Sequence, residues 1–411
     1  MRVLLSTYGS RGDVEPVAGL AVRLRALGAE VRVCAPPDED FARRLAGVGV
    51  ELVPVGPSAR ALTKAAPPPS SLPQRAAEVI ARQVEVLSTA AADCDALVVT
   101  GMLPAAAGAL SVAEKLGVPT ASVTFQQLTL PSPLRRPLAY PGQPLPPETT
   151  DNRTRWELDA RQTNELFGAA LNANRAAIGL PPVADVRGYV IGDQPWLATD
   201  PVLDPMREMP DLDVVQTGAW ILPDERPLPD ALVAFLDAGT PPVYVGFGSM
   251  PLHGAADAAR VAVAAVRAQG RRVLVSRGWA GLAPIDDRDD CFAVGEVNHQ
   301  ALFPRVAAVV QHGGAGTTTT AALAGVPQVV VPQAADQPYW AGRVADLGIG
   351  TAHDGPTPTY ASLSAALART LTPATHTRAS AVARTIRTDG TTTAARLLLD
   401  ALGRGRPPTS G

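Results

Sequence analysis

The feature that most constrains this fold is a repeated order of short apolar runs, glycine-containing turns and helix-like patterns. An apolar run at residues 3–7 precedes the turn at 9–13. Apolar residues then recur at spacings of three and four, as on one face of a helix, until Gly28. Because apolar strands separated by helices form parallel sheets covered on both faces, this order predicts an α/β fold.

The same order recurs in the second half of the chain. Residues 243–249 begin a second strand–turn–helix series, and further strands are predicted at 272–275, 307–310 and 329–331. A length of 411 residues suits two such domains. We expect two Rossmann-like parallel-sheet domains facing each other across a cleft. The predicted boundaries are a first domain at 1–215, a linker at 216–240, a second domain at 241–390, and a helix and tail at 391–411 returning to the first domain.

Composition and charge exclude several classes of protein. The net charge of −3 argues against a general nucleic-acid binder, which needs a basic surface. Three widely spaced cysteines and five scattered histidines form no disulfide framework and no metal-binding motif. The apolar stretch at 96–110 is interrupted and shorter than the ~18 residues of a membrane span. We expect a cytoplasmic monomer without a membrane or nucleic-acid partner.

Proline is unusually frequent. The chain has 40 prolines in 411 residues, about twice the ordinary usage of ~5%. Because proline disrupts helix and strand interiors, these residues predict long loops, at 57–73 and 126–152. A long helix is predicted after the second loop, at 156–178.

The first candidate motif is the turn at residues 9–13, which lies between a strand and a helix. Glycines at such a turn let the backbone approach a phosphate, and a helix N-terminus favours an anion. Asp13 also precedes an apolar helical run, where an N-cap residue belongs. From this loop alone, the N-cap interpretation is favoured.

Two further motifs follow strands of the second half. Residues 311–320 are rich in glycine and threonine and form a potential phosphate cradle, but no lysine follows, so this is not an ATPase P-loop. His312 is either a phosphate contact or an ordinary loop histidine. Asp336 and Gln337 follow the next strand; they suit a polyhydroxyl ligand, or they form a turn and a helix start.

Taken together, these segments resemble the GT-B glycosyltransferases of bacterial natural-product pathways. The likeness extends from residue 1 to about residue 402 and is strongest to the glycopeptide-antibiotic enzymes of the vancomycin and teicoplanin type. It rests on an ordered set of segments at 3–13, 246–249, 276–279, 295–298, 312–317, 325–328 and 336–338, with 35–37, 113–117, 179–182 and 216–220.

The resemblance implies inverting, metal-independent transfer of glucose or N-acetylglucosamine from a UDP-sugar to a hydroxyl of a heptapeptide aglycone. The first domain would bind the acceptor, with Asp13 as the catalytic base, which overrides the N-cap interpretation. The second domain would bind the nucleotide sugar. No cofactor or metal is implied. The donor-binding residues implied are Ser10, Arg11, Gly12, Ser249, Arg277, Trp279, Val297, His312, Gly314, Ala315, Gly316, Thr317, Asp336 and Gln337.

Within that set, Trp279 and Val297 fall where the family holds the pyrimidine base. Gly314 stands where some relatives carry serine, which removes one phosphate contact. Three alternatives remain open from the sequence. They are a glycosyltransferase with a sterol, macrolide or other polyketide acceptor, a GT-B nucleotide-sugar epimerase, and an inactive partner protein of the same fold.

Overall fold

Two parallel β-sheets organise the chain in a computed structural model, which describes residues 1–64, 72–140, 142–206, 212–247, 255–277 and 288–405. Each sheet belongs to a separate compact unit and has helices on both faces. The α/β class with two Rossmann-like sheets, predicted from the repeated strand–turn–helix order, is confirmed.

The first sheet has seven strands in the order β3-β2-β1-β4-β5-β6-β7, and all adjacent pairs are parallel. The strands are β1 Arg2–Ser6, β2 Glu30–Ala35, β3 Glu51–Pro54, β4 Ala96–Val99, β5 Thr120–Thr124, β6 Trp196–Leu197 and β7 Val215–Gln216. Its helices are α1 Arg11–Ala26, α2 Glu39–Gly47, α3 Ala59–Lys64, α4 Leu72–Ala90, α5 Leu103–Leu116, α6 Asn152–Thr163, α7 Ala169–Ala177 and α8 Val186–Ile191. A π-helical turn, Asn164–Gly168, joins α6 to α7 in place of the single predicted helix.

The second sheet has six parallel strands in the order β10-β9-β8-β11-β12-β13. The strands are β8 Val243–Gly246, β9 Val273–Ser276, β10 Cys291–Val294, β11 Ala308–Gln311, β12 Gln328–Val330 and β13 Gly350–Ala352. The remaining helices are α9 Asp230–Asp237, α10 Ala255–Arg267, α11 His299–Leu302, α12 Ala315–Leu323, α13 Gln337–Asp346, α14 Tyr360–Thr370, α15 Pro373–Ala383 and α16 Gly390–Gly405.

The core follows from the alternation of side chains along the central strands. In β1, Val3 and Leu5 pack into the cluster that contains α1, whereas Leu4 packs on the opposite face with α4 and α5. Both faces are therefore buried, as expected for a parallel sheet. The last helix, α16, packs against α1, and it contributes Ala394 and Leu398 to the core of the first unit.

Neither unit is a continuous stretch of chain. The first comprises residues 1–199, 206–222 and 388–411, and the second comprises 200–205 and 223–387. Within the second unit, the Asp200 carboxylate accepts hydrogen bonds from the backbone amides of Leu203, at 3.1 Å, and Arg387, at 2.8 Å. The Tyr339 hydroxyl donates to Asp204, on the same short segment. Residues 200–205 are thereby held by the second unit.

The predicted linker at 216–240 is structured along much of its length. Its first residue ends β7, and Trp220 and Leu222 are buried in the core of the first unit. The Trp220 indole donates to the Thr217 hydroxyl at 3.0 Å. Its last part forms α9, in the second unit. The large apolar side chains before the first proline of this segment explain why it packs into the core of the first unit and is not an extended connection.

The two proline-rich segments differ in structure. In the first, α3 begins at Ala59, where the Asp38 carboxylate accepts from the Ala59 amide at 2.8 Å, and residues 65–71 lie outside the described chain. The second segment is held against α6 by hydrogen bonds. The Trp156 indole donates to the Arg135 carbonyl at 2.7 Å, and the Asn152 amide group donates to the Pro133 carbonyl at 3.1 Å.

In the described residues, no helix combines the length and the apolar character that crossing a membrane requires.

Gly19 provides a test of the packing on α1. A Cβ at this position would lie 2.9 Å from the backbone carbon of Ile221, which is not free to move as a side-chain end would be. We expect Gly19→Ala to lower the free energy of unfolding of the first unit by about 1–2 kcal/mol, measured by urea denaturation. The matched control is Gly47→Ala at the end of α2, where the added methyl meets nothing within 4 Å. Equal midpoints for the two variants would contradict this packing.

Candidate functional site

The order of the strands indicates where a ligand binds in each unit. In open parallel sheets, ligands bind beyond the carboxyl ends of the strands. They bind between the two neighbouring strands from which the sequence order of the strands proceeds outward on either side. That point lies between β1 and β4 in the first unit and between β8 and β11 in the second. The loops after these strands are therefore the candidate ligand-binding segments of their respective units. Ser249 and Trp279, which the sequence includes in the site, lie outside the described residues.

The loop after β1 carries Asp13 in a reciprocal capping arrangement. The N-cap of α1 is Ser10, not Asp13, and Asp13 occupies the third position of the helix. The Ser10 backbone N–H donates to the Asp13 carboxylate at 2.7 Å, while the Ser10 hydroxyl accepts from the Gly12 amide at 3.2 Å. The prediction that Asp13 is the N-cap residue is therefore wrong, since Ser10 holds that position. The Asp13 carboxylate still helps to cap the helix from its third position.

This capping arrangement includes polar groups of the protein that the family resemblance assigns to binding of the sugar donor. The Ser10 hydroxyl and the Gly12 amide bind each other, and the half-exposed Arg11 guanidinium forms an ion pair with Glu15 at 3.0 Å. Residues 10–12 therefore hold the first turn of α1, and the Ser10 hydroxyl, which accepts in this arrangement, keeps its own O–H as a hydrogen-bond donor.

Gly9 places the Asp13 carboxylate close to the backbone. A Cβ on Gly9 would overlap the carboxylate oxygens, so any larger residue here must displace Asp13. The carboxylate is only partly buried. It is therefore held in one position by the Ser10 amide while it remains accessible to a substrate.

Tyr8 joins the loops around Asp13, a role that no motif in the sequence indicates. Its carbonyl accepts from the Met102 amide at 2.8 Å, and its hydroxyl donates to the Pro57 carbonyl at 2.9 Å. Gly101, with a φ of +95°, packs directly on the Tyr8 backbone. Burial, with the nearby Asp38 carboxylate, raises the pKa of Tyr8 to about 12. A neutral, buried tyrosine thus fixes three loops at the edge of the first sheet.

In the second unit, the loop after β11 leads directly into α12. The N-cap of this helix is Gly314, which has no side chain to cover the first amides of the helix. Gly314, Ala315 and Thr317 are partly exposed, and Gly316 is exposed. The first N–H groups of a helix have no partner inside the helix and carry a partial positive charge. This turn therefore has the geometry of an anion site.

His312 lies beside this turn and is only 9% exposed. A Cβ at Gly314 would come within 2.7 Å of its Nε2 atom, so the imidazole occupies the space that a serine at 314 would need. Its Nδ1 atom is buried without a hydrogen-bond partner among the described residues. Burial lowers the pKa of His312 from 6.5 to about 4, so the side chain is neutral at neutral pH.

Asp336 and Gln337 lie after β12, at the same edge of the sheet. The Trp340 indole donates to the Asp336 carboxylate at 2.8 Å, while burial raises the pKa of that carboxyl. The Gln337 carboxamide oxygen accepts from the backbone amides of Gln333, at 2.7 Å, and Ala334, at 3.1 Å. The Gln337 oxygen therefore stabilises the loop before α13, and its carboxamide nitrogen is the group that can donate a hydrogen bond to a sugar.

The other candidate residues at this edge differ in accessibility. The Val297 side chain is buried in the cluster that contains Tyr244 and Phe303, so only its backbone is available to a ligand. Arg277 directly follows β9, where its amide donates to the Val294 carbonyl at 2.9 Å and its side chain is exposed. Among the described residues, no three or more histidine, cysteine or acidic side chains form a group that could hold a metal ion.

The buried state of His312 predicts a pH effect on stability. Between pH 7 and 5 the folded side chain stays neutral while the unfolded chain takes up a proton, so stability falls as the pH is lowered from 6.5 towards 4. We expect a loss of about 2 kcal/mol through this group between pH 7 and 5, measured by urea unfolding without nucleotide. His312→Gln should lack this loss, whereas His376→Gln, at an exposed position of α15, should keep it. The same loss in all three proteins would disprove the assignment.

Two family models match the chain. The model for the glycosyltransferase family 28 N-terminal domain matches residues 3–130. The model for the C-terminal domain of erythromycin biosynthesis protein CIII-like proteins matches residues 288–393. The first includes the loop of Asp13, and the second includes His312, Asp336 and Gln337.

Full-length relatives come from Amycolatopsis orientalis. The chain is 58% identical to a vancomycin aglycone glucosyltransferase, and the alignment covers 100% of both chains. It is 51% identical to a dTDP-epi-vancosaminyltransferase, with 99% of both chains covered.

Solved structures show the same fold at much lower identity. The glycotransferase of kitacinnamycin superposes with a TM-score of 0.72 at 21% identity, covering 98% of this chain and 99% of that chain. Spinosyn forosaminyltransferase SpnP gives a TM-score of 0.71 at 22% identity, with the same coverage. With these matches along its whole length, the chain belongs to the vancomycin-group glycosyltransferases and is a hexosyltransferase with the GT-B fold.

Proposed function

We propose that this enzyme transfers glucose or N-acetylglucosamine from a UDP-sugar to a hydroxyl of a glycopeptide-antibiotic heptapeptide aglycone, with inversion and without a metal ion. The observation that carries this proposal is the 58% identity, over the whole chain, to an enzyme named for glucosyl transfer to the vancomycin aglycone. The reaction takes place in the cytoplasm.

In this mechanism the base is Asp13. Its carboxylate takes the proton of the acceptor hydroxyl while the oxygen attacks the anomeric carbon of the sugar, and the bond to the diphosphate breaks. The Ser10 amide and the absence of a side chain on Gly9 support this role, because together they hold the carboxylate in one position. Proton transfer by a fixed carboxylate loses less entropy than transfer by a mobile one.

The leaving diphosphate is stabilised by the N-terminus of α12. No side chain caps the backbone N–H groups of residues 315–317 at the start of α12. The neutral His312 imidazole provides a further hydrogen-bond donor. These groups supply the charge stabilisation that a divalent cation provides in other transferases. The transfer is therefore proposed to need no metal.

The sugar is recognised by Asp336 and Gln337. One Asp336 carboxylate oxygen is engaged by the Trp340 indole, which orients the other for a sugar hydroxyl. The Gln337 carboxamide nitrogen adds a donor next to this acceptor. A pair of this kind suits a hexose with a full set of hydroxyls better than a deoxy-sugar.

A dTDP-sugar is the second candidate donor. The relative at 51% identity is named for transfer from a dTDP-linked sugar, and this supports a dTDP-sugar as the alternative donor. The base-binding residues decide between uracil and thymine, and Trp279 is assigned to that contact only by resemblance.

A screen of donors and acceptors tests the proposal. The enzyme is incubated with UDP-glucose, UDP-N-acetylglucosamine or a dTDP-sugar, and with a heptapeptide aglycone, a macrolide or a sterol, and products are identified by mass spectrometry. We expect a mass gain of one hexose on the heptapeptide with a UDP-sugar, unchanged by a chelator. Transfer only to another acceptor, or activity that Mg²⁺ restores after chelation, would refute the corresponding part of the proposal.

Replacing the proposed base separates its two roles. Asp13→Asn keeps an oxygen that can accept from the Ser10 amide, so the helix cap and the stability should change little. Turnover should fall by ~10²–10⁴-fold, while UDP affinity stays close to that of the parent.

The control for this variant is Asp185→Asn, which makes the same change at the N-cap of α8, where the carboxylate accepts from the Gly188 amide at 3.1 Å. It should keep normal turnover. An Asp13→Asn enzyme with parental turnover would leave Asp13 with a capping role only.

A further inference from the structure

Three polar side chains lie beneath the turn that precedes α12, although the surrounding strands are apolar. Gln311 ends β11, Gln328 begins β12, and Thr318 lies in the second turn of α12. Gln311 and Gln328 are fully buried, and Thr318 is 1% exposed. Burial of a carboxamide is unfavourable unless its hydrogen bonds are made, so a core that only needed filling would use leucine or valine here.

The hydrogen bonds among these side chains have one consistent orientation. The Gly313 backbone N–H can only donate, so the Gln311 oxygen must face it, at 2.6 Å. The Gln311 nitrogen then donates to the Thr318 hydroxyl at 3.0 Å and to the Gln328 oxygen at 3.1 Å. The Gln328 nitrogen donates to the Thr318 carbonyl, which can only accept, at 3.2 Å. Both ends of the network are fixed by backbone groups.

This network determines where the turn lies. Gly313 adopts a φ of +98°, and a Cβ there would come within about 3 Å of Val330 and Gln337. Its N–H is directed inward by Gln311, and α12 then begins after its N-cap Gly314, whose carbonyl accepts from the Thr318 amide at 2.9 Å. Gln311 thus connects the strand end, the turn and the second turn of α12 through one side chain.

We propose that Gln311 is a positioning residue for the diphosphate of the donor. It does not touch the donor. It acts through Gly313 and Thr318, which set the direction in which the first amides of α12 and the His312 imidazole point. This inference rests on the proposed nucleotide-sugar donor. It gives Gln311, the first residue of the motif at 311–320, a role that neither the motif nor the exposed surface of the turn indicates.

The test compares two substitutions of similar size in the same network. Gln311→Met removes the acceptor for the Gly313 amide and both donated hydrogen bonds. Gln328→Met removes its own two bonds but leaves the Gln311 contacts to Gly313 and Thr318. Both should lower the thermal unfolding midpoint to a similar extent, since each leaves buried polar atoms without partners.

Nucleotide binding distinguishes the two variants. The affinities for UDP and for uridine, which lacks the phosphates, are measured by calorimetry. We expect Gln311→Met to weaken UDP binding roughly tenfold while uridine binding is unchanged, and Gln328→Met to stay within about twofold of the parent for both. Parental UDP affinity in Gln311→Met, or an equal loss in Gln328→Met, would overturn the inference.

If Gln311→Met does not fold, Gln311→Asn keeps a carboxamide that ends one methylene short of the Gly313 amide, and it should lose UDP affinity in the same direction. Parental affinity in that variant also overturns the inference. A parent enzyme that binds neither UDP nor dTDP would overturn the proposed donor class and this inference with it. A parent that binds, with variants that bind equally well, overturns only the inference.

Discussion

The parallel hydrogen-bond register of the two central strand pairs is the constraint on which the chemistry of this enzyme depends. β1 pairs with β4 from Val3 to Ser6, and β8 pairs with β11 from Val243 to Gly246. Since both partners run in the same direction, their carboxyl ends lie at one edge. The connections that leave them run to opposite faces of the sheet. Each pair therefore leaves an opening, next to Asp13 in the first unit and next to His312 in the second.

Locally unfavourable features concentrate around the second opening. His312 has a buried ring nitrogen without a described partner, and Gly313 requires a φ that L side chains rarely adopt. Ala335, in the loop before α13, has a φ of +54°, the only positive value outside glycine in the described chain. Such features persist when the surrounding structure fixes them, and they cluster where a protein binds or reacts. Around the first opening, Gly101 also has a positive φ, but the Asp13 carboxylate accepts a hydrogen bond from the backbone at the start of its own helix.

The sequence predicted the sheets well because their central strands are continuous apolar runs of four or five residues. It missed β6 and β7, since two residues are too few to show a period, and it also missed β10 and β13, the two edge strands of the second sheet. It assigned residues 217–222 to a linker because several prolines follow the buried Trp220. Within the site, the position of Asp13 was predictable but its bond to the Ser10 amide was not. The position of Gln337 was also predictable, but the hydrogen bond that its oxygen accepts from the Gln333 amide was not. No local sequence pattern encodes a contact that depends on loop geometry.

The discontinuity of the two units has a consequence for synthesis on the ribosome. The core of the first unit contains Ala394 and Leu398 of α16, which follow the 165 residues at 223–387 of the second unit. At ~5–20 residues per second, roughly 10–30 s pass between the emergence of β7 and that of the helix that covers α1. During this time the apolar face of α1 that α16 covers in the complete structure is without its partner helix, whereas all residues of the second unit have been synthesised by the end of it. The first unit therefore reaches its complete core only after the whole of the second unit has been synthesised.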